Sequence, residues 1–187
     1  MLSYLKNHPR RIIRWEKLRS PRVSIAVSIG TAWGAGLAPL APGTAGTLVG
    51  IPIHFFTSGM GEIPRAIIWT TLLAAGTWAA KVIDEEMGTQ DNQNIVMDEV
   101  VGYGITAWTA GTDPKALIAA FLLFRFFDIA KLPPVRFIDL WSKNRAAASH
   151  NHARWFGGFG VMADDVAAGF QGLLCMWLLQ YFGLLSG

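Results

Sequence analysis

Five acids sit in stretches that otherwise carry almost no charge: Asp98 and Glu99, Asp128, and Asp164 with Asp165. A charged side chain at the centre of a membrane-inserted helix costs about 2.5–3.5 kcal/mol, so each needs a partner or a purpose. Five carboxylates together suggest a bound cation. Hard oxygen ligands suit Mg²⁺, which keeps several waters and commonly binds one or two carboxylates plus a substrate phosphate. The competing explanation is salt bridging to Arg125 and Lys131, which could absorb two of the five. Spacing adds to the pattern. Asp98 and Gly102 are four apart, as are Asp165 and Gly169, so each acid has a small residue one helical turn on, where a neighbouring backbone or a substrate can approach. Arg125 and Asp128, three apart, share a helix face.

A second group of residues has the chemistry of an anion cradle. In Pro39-Leu-Ala-Pro-Gly43-Thr44-Ala-Gly46-Thr47, glycines let backbone N–H groups converge and the threonine hydroxyls can donate. A helix starting just after would point its positive end at the ligand. This is not a Walker A loop, since no Lys occurs between Lys17 and Lys81. Residue types exclude several phosphatase mechanisms. Cys175 has Tyr181 six positions on where a cysteine phosphatase needs Arg, and neither Asp-x-Asp-x-Thr nor Pro-Ser-Gly-His occurs. His150 and His152, in a polar stretch beside Arg145 and Arg154, read as solvated surface.

The elements that must position these groups are apolar. Of 187 residues 52% are hydrophobic and 16% charged, with mean hydropathy +0.34, whereas soluble domains carry about 25% charge. Disorder and nucleic-acid wrapping are thereby excluded, and the single Cys175 allows no intrachain disulfide. The net charge of +3 hides an asymmetry: residues 1–22 hold seven of the 16 Lys and Arg and one acid, Glu16. This basic leader attracts anionic lipid and places the N-terminus in the cytoplasm by the positive-inside rule. It is expected to lie on the membrane surface with Ile12, Ile13, Trp15 and Leu18 facing lipid. It is too long for a signal-peptide n-region, and the sequence after it is rich in Gly and Pro.

No charge occurs from Val23 to Gly61, but Gly and Pro break that stretch. The pattern predicts a helix near 23–33, a loop at 34–47 and a second apolar piece near 48–58, a re-entrant arrangement. Further helices are predicted over 63–82, 95–110, 116–131 and 166–187, with a polar connection at 84–94 and Pro133-Pro134 ending the helix at 116–131. The expected fold is an all-α, compact multi-helix membrane bundle with broken, re-entrant segments. It divides into the leader, 1–22, and one catalytic domain, 23–187.

Four blocks resemble one family, the phosphatidylglycerophosphatase A family of bacterial membrane lipid phosphatases. They are Gly36-Leu-Ala-Pro39-Leu-Ala-Pro42-Gly43-Thr44-Ala-Gly46-Thr47-Leu48-Val-Gly-Ile-Pro52, Asp91-Asn-Gln-Asn-Ile95-Val96-Met-Asp98-Glu99-Val-Val-Gly102, Phe124-Arg125-Phe-Phe-Asp128-Ile-Ala-Lys131-Leu-Pro133-Pro134 followed by Asp139, and Gly157-Gly158-Phe-Gly160-Val-Met162-Ala-Asp164-Asp165-Val-Ala-Ala-Gly169. The family usually has Lys-Pro where Leu132 separates Lys131 from Pro133 here, and residues 140–156 look peculiar to this chain.

The resemblance implies Mg²⁺-dependent hydrolysis of phosphatidylglycerophosphate to phosphatidylglycerol and phosphate at the cytoplasmic face of the bacterial inner membrane. Asp98, Glu99, Asp128, Asp164 and Asp165 are then expected around the metal as catalytic residues. Gly43, Thr44, Thr47, Arg125 and Lys131 are expected to hold the phosphoryl oxygens. Partners are the lipid substrate and the membrane, with no nucleic acid. A cation-coupled transporter or channel is the alternative, and it would place the acids at mid-membrane between two gates.

Overall fold

The computed structural model describes residues 11–89, 91–133, 135–138 and 153–185, with the backbone alone for 153–158. Among them the chain is all-helical: α1 Pro21–Gly30, α2 Pro42–Ser58, α3 Glu62–Met87, α4 Met97–Thr106, α5 Pro114–Ala130 and α6 Ala153–Tyr181, with 3₁₀ turns at Trp15–Arg19, Ala35–Leu37 and Ala107–Thr109. Pro21, Pro42 and Pro114 each stand at a helix start, where the missing N–H costs nothing. Asp113 caps α5 by accepting from the Lys115 N–H.

Helix α4 lies at the centre, packed against α2, α3, α5 and α6, while α1 packs on α3. One apolar cluster joins α1 to α3 through Val23, Ala26, Val27, Ala79, Ala80 and Ile83. Another joins α4, α5 and α6 through Tyr103, Ala120, Phe124, Ala168 and Met176. The outer faces are apolar as well: Phe56, Ile63, Ile129, Phe170, Leu174 and Trp177 are exposed. Glu62–Met87 and Phe159–Tyr181 are long and apolar enough to cross a membrane, and only a third of each apolar stretch is buried inside the protein. A core helix of a soluble protein would be mostly covered.

Several boundaries differ from the sequence reading. The predicted loop at 34–47 ends at Ala41, and Pro42 to Thr47 form the first turns of α2. Gly46 is tolerated there because it lies against Val96, whose carbonyl oxygen would be 2.8 Å from an added Cβ. Pro52 sits inside the same helix. Helix α3 runs on to Met87, so Asp84, Glu85 and Glu86 are helical and not part of the polar connection. Helix α6 begins thirteen residues before Val166, which takes the Gly157-to-Gly160 run into the helix.

The leader also departs from expectation. Ile13 and Leu18 pack on the α1–α3 cluster instead of facing lipid, and only Trp15 of the four apolar residues is strongly exposed. Ile12 is half-buried, and its carbonyl accepts from Asn92. The leader's charges meet acids at the end of α3, with Lys17 on Glu86 at 3.3 Å and Arg22 near Glu85 at 3.6 Å. Lys6, Arg10, Pro134, Asp139, residues 140–152 and the side chains of Arg154, Gly157 and Gly158 lie outside what is described.

Candidate active site

Three chain segments converge at one end of the bundle. Residues 92–96 pass between the loop after α1 and the start of α2. The Val96 N–H donates to the Gly30 carbonyl at 2.8 Å, and Gly36 leaves no room for a side chain beside the Asn94 carbonyl. This thread starts α4, so Asp98 and Glu99 occupy its first turn. The polar turn before it is organised by Asp84, whose carboxylate accepts from the Thr89 hydroxyl at 2.6 Å and from the N–H groups of Asp91 and Asn92 at 3.0 and 3.2 Å. Residue typing placed Asp84 in a connection and missed this role; its one signal was the run of Asn and Asp that follows. Asp84→Ala is expected to cost about 1.5–3 kcal/mol in thermal unfolding and to lower activity by loosening the start of α4.

Helix α6 crosses α4 where both carry glycine. A Cβ on Gly102 would fall on the Phe124 ring and 2.8 Å from the Asp165 carbonyl oxygen, and one on Gly169 would lie 2.6 Å from the Gly102 carbonyl oxygen. This close crossing sets Asp165 beside Asp98, one turn away from the two glycines. A carboxylate oxygen from each of Asp98, Glu99 and Asp165 lies within 4.8 Å of the others. Asp98 and Asp165 are buried, and among the described residues the buried Glu99 Oε2 has no hydrogen-bond partner. Helix α4, ten residues and about 15 Å long, is too short to span a bilayer. Burial, followed by the like charge of Glu99, pushes Asp98 well above the usual carboxylate range. Burial pushes Glu99 up to about 8.

The other two acids hold cations. Arg125 donates to Asp128 in a short ion pair along α5, and Lys131 Nζ meets Asp164 Oδ2 at 2.7 Å. Asp128 remains within electrostatic reach of Glu99 and Asp165. All five acids therefore share one neighbourhood, divided into a cluster of three and two ion pairs. Lys131 ends α5 in a left-handed conformation, φ 44° and ψ 51°, which turns the chain back toward the site.

The start of α2 faces this cluster. A Cβ on Gly43 would collide with Glu99 Oε1 and lie 3.1 Å from Arg125 Nη1. No side chain caps the helix, so the N–H groups of Gly43 and Thr44 lack intrahelical acceptors at its positive end. Thr47 does not join them: it is fully buried, and its hydroxyl donates to the Gly43 carbonyl at 2.8 Å. It holds the turn and is not placed to offer a proton to an anion.

A family model described as Phosphatidylglycerophosphatase A matches residues 28–180. The chain belongs to that family. Among family relatives, a phosphatidylglycerophosphatase A of Haemophilus influenzae is 32% identical over 158 residues, 83% of this chain and 89% of the relative. One of Escherichia coli is 29% identical, covering 82% and 80%. A Bacteroides thetaiotaomicron protein, named provisionally as a phosphatidylinositol-3-phosphatase, is 36% identical, covering 78% and 87%. No solved structure matches. The family match runs across every element that brings the acids together, from the end of α1 to the end of α6.

Proposed function

We propose that the chain is a Mg²⁺-dependent lipid phosphatase that converts phosphatidylglycerophosphate to phosphatidylglycerol at the cytoplasmic side of the bacterial inner membrane. The observation that carries the reading is the trio Asp98, Glu99 and Asp165, the two aspartates buried and Glu99 half-buried, facing the uncapped start of α2 beside Arg125. The donor set fits a hard divalent cation: three carboxylates within 4.8 Å repel one another, and the buried Glu99 Oε2 lacks a partner. These three residues would hold the ion, which supplies charge neutralisation at the phosphoryl oxygens and at the departing glycerol oxygen.

The chain's own residues do the remainder. The N–H groups of Gly43 and Thr44 donate to phosphoryl oxygens at the α2 dipole. Arg125 Nη1, which donates to Asp128, also lies beside Gly43, so its charge reaches the same space. Lys131 is held in place by Asp164, and Asp128 and Asp164 thus act by positioning cations. Water enters and the phosphate ester bond breaks, with the proton going to the glycerol oxygen. Direct attack requires a water in line with that bond and a carboxylate beside it to take its proton, whereas an acyl phosphate requires a carboxylate oxygen itself in line.

Depth favours this reading over the transporter. Asp98 lies in the first turn of α4, Asp128 in the last turn of α5 and Gly43 in the first turn of α2, so the site gathers at one end of the bundle. The basic leader docks beside the same end, at the C-terminus of α3, which supports a cytoplasmic orientation. The test is release of inorganic phosphate by purified protein in detergent, with Mg²⁺ or with EDTA. Phosphatidylglycerophosphate and phosphatidylinositol 3-phosphate would be compared, because the relatives' names differ in headgroup. Release from the first substrate, abolished by EDTA, is the expected result; none under any metal condition would return the transporter.

A further inference from the structure

An apolar cavity of about 320 Å³ lies between α2 and α5, lined by Leu48, Ile51, Pro114, Leu117, Ile118 and Phe121. No polar side chain lines it. Its position relative to the acid site follows from helix geometry. The Arg125 side chain reaches from α5 to the start of α2, its Nη1 3.1 Å from where a Cβ on Gly43 would sit. Leu48 stands one turn beyond Thr44 on α2, and Phe121 stands one turn before Arg125 on α5, each on the same face as its partner. Ile51 and Leu117 lie roughly one turn further. The cavity therefore begins about 6 Å from the phosphate-holding groups and leads away from them along both helices.

We infer that this groove receives an acyl chain of the lipid whose phosphate occupies the acid site. This assignment rests on the function proposed above and extends it to the hydrophobic half of the substrate. A site with cations and backbone N–H groups at one end and a wholly apolar extension at the other matches an amphipathic phosphate ester; a water-soluble one would leave the extension unused. The rim supports access from the side: Leu48 and Ile118 are 53% and 60% exposed, so a chain can enter between the helices without passing through water. Continuity with the headgroup site makes an acyl chain a better occupant than a helix of another protein.

Leu48→Trp and Ile118→Trp test this, since both residues are exposed, are not themselves among the phosphate-holding groups, and would fill the groove from its rim. Phosphate release is measured on dioleoyl and dihexanoyl phosphatidylglycerophosphate and on glycerol phosphate. The KM for the dioleoyl substrate is expected to rise about tenfold, with the dihexanoyl lipid less affected and any turnover of glycerol phosphate unchanged. In parallel, a phospholipid with a diazirine in its acyl chain should label peptides containing residues 48–51 and 117–121 of the wild-type protein, and the variants should lose that label. Labelling elsewhere, an unchanged KM, or equal loss on all three substrates would overturn the acyl-chain site. Labelling of these peptides in a protein that releases no phosphate would keep the groove and reject the phosphatase.

Discussion

Asp98→Asn and Asp165→Asn are each expected to lower phosphatidylglycerophosphate turnover by about two to three orders of magnitude while leaving the folded yield intact. Asparagine keeps the volume of each buried side chain and removes a negative charge from a site where three carboxylates lie within 4.8 Å. That charge is costly without a cation, because burial and like-charge repulsion both oppose it. In EDTA the two variants should therefore melt at the same temperature as the wild type or higher, and the Mg²⁺-dependent rise in melting temperature should shrink. A structural role for the acids predicts the reverse, with lower melting temperatures throughout. Asp128→Asn and Asp164→Asn act through Arg125 and Lys131, so smaller losses of about 10–100-fold are expected, as for groups that orient ligands from behind. Near-wild-type turnover in both Asp98→Asn and Asp165→Asn would remove the metal assignment.

Gly102→Ala and Gly169→Ala are expected to destabilise the fold by about 1–3 kcal/mol each and to lose most activity. The atoms that an added methyl would meet include the backbone carbonyls of Asp165 and Gly102, which cannot swing aside as a flexible side chain can. The helices must separate, and the acids one turn away separate with them. Gly59→Ala is the control. An added Cβ there has nothing within 4 Å and φ is −81°, so melting temperature and activity should both be unchanged. Thermal unfolding in detergent together with the Mg²⁺ dependence of phosphate release checks the pair; unaltered values in Gly102→Ala would mean that α4 and α6 do not meet as closely as described.

Much of this was legible in the residues. Helix placement follows from apolar runs punctuated by Pro and Gly, and α4 and α5 begin and end within a few residues of the spans read from sequence, because local signals such as Asp113-Pro114 act locally. The Asp-x-x-x-Gly spacing pointed to a close approach beside each acid, and the crossing of α4 and α6 at Gly102 and Gly169 is that approach. Acids in apolar sequence were recognisable as a candidate site because an isolated buried charge is unfavourable wherever the fold puts it.

Only the tertiary structure decided which acids do what. Sequence set Arg125 and Asp128 on one helix face, but did not say which acid Lys131 would take. Packing of α6 beside α4 and α5 gives Asp128 and Asp164 to the cations and leaves Asp98, Glu99 and Asp165 together. The same holds for Pro42 to Thr47, a loop by composition and a helix start in fact. Glycines that weaken an isolated helix are tolerated where Val96 and Glu99 approach the backbone, a contact about fifty residues distant in sequence. The leader's Ile13 and Leu18 likewise turn inward because the end of α3 offers an apolar cluster and the acids Glu85 and Glu86 side by side. Spacing along the chain determines which groups share a face; which faces meet depends on the packing of helices far apart in sequence.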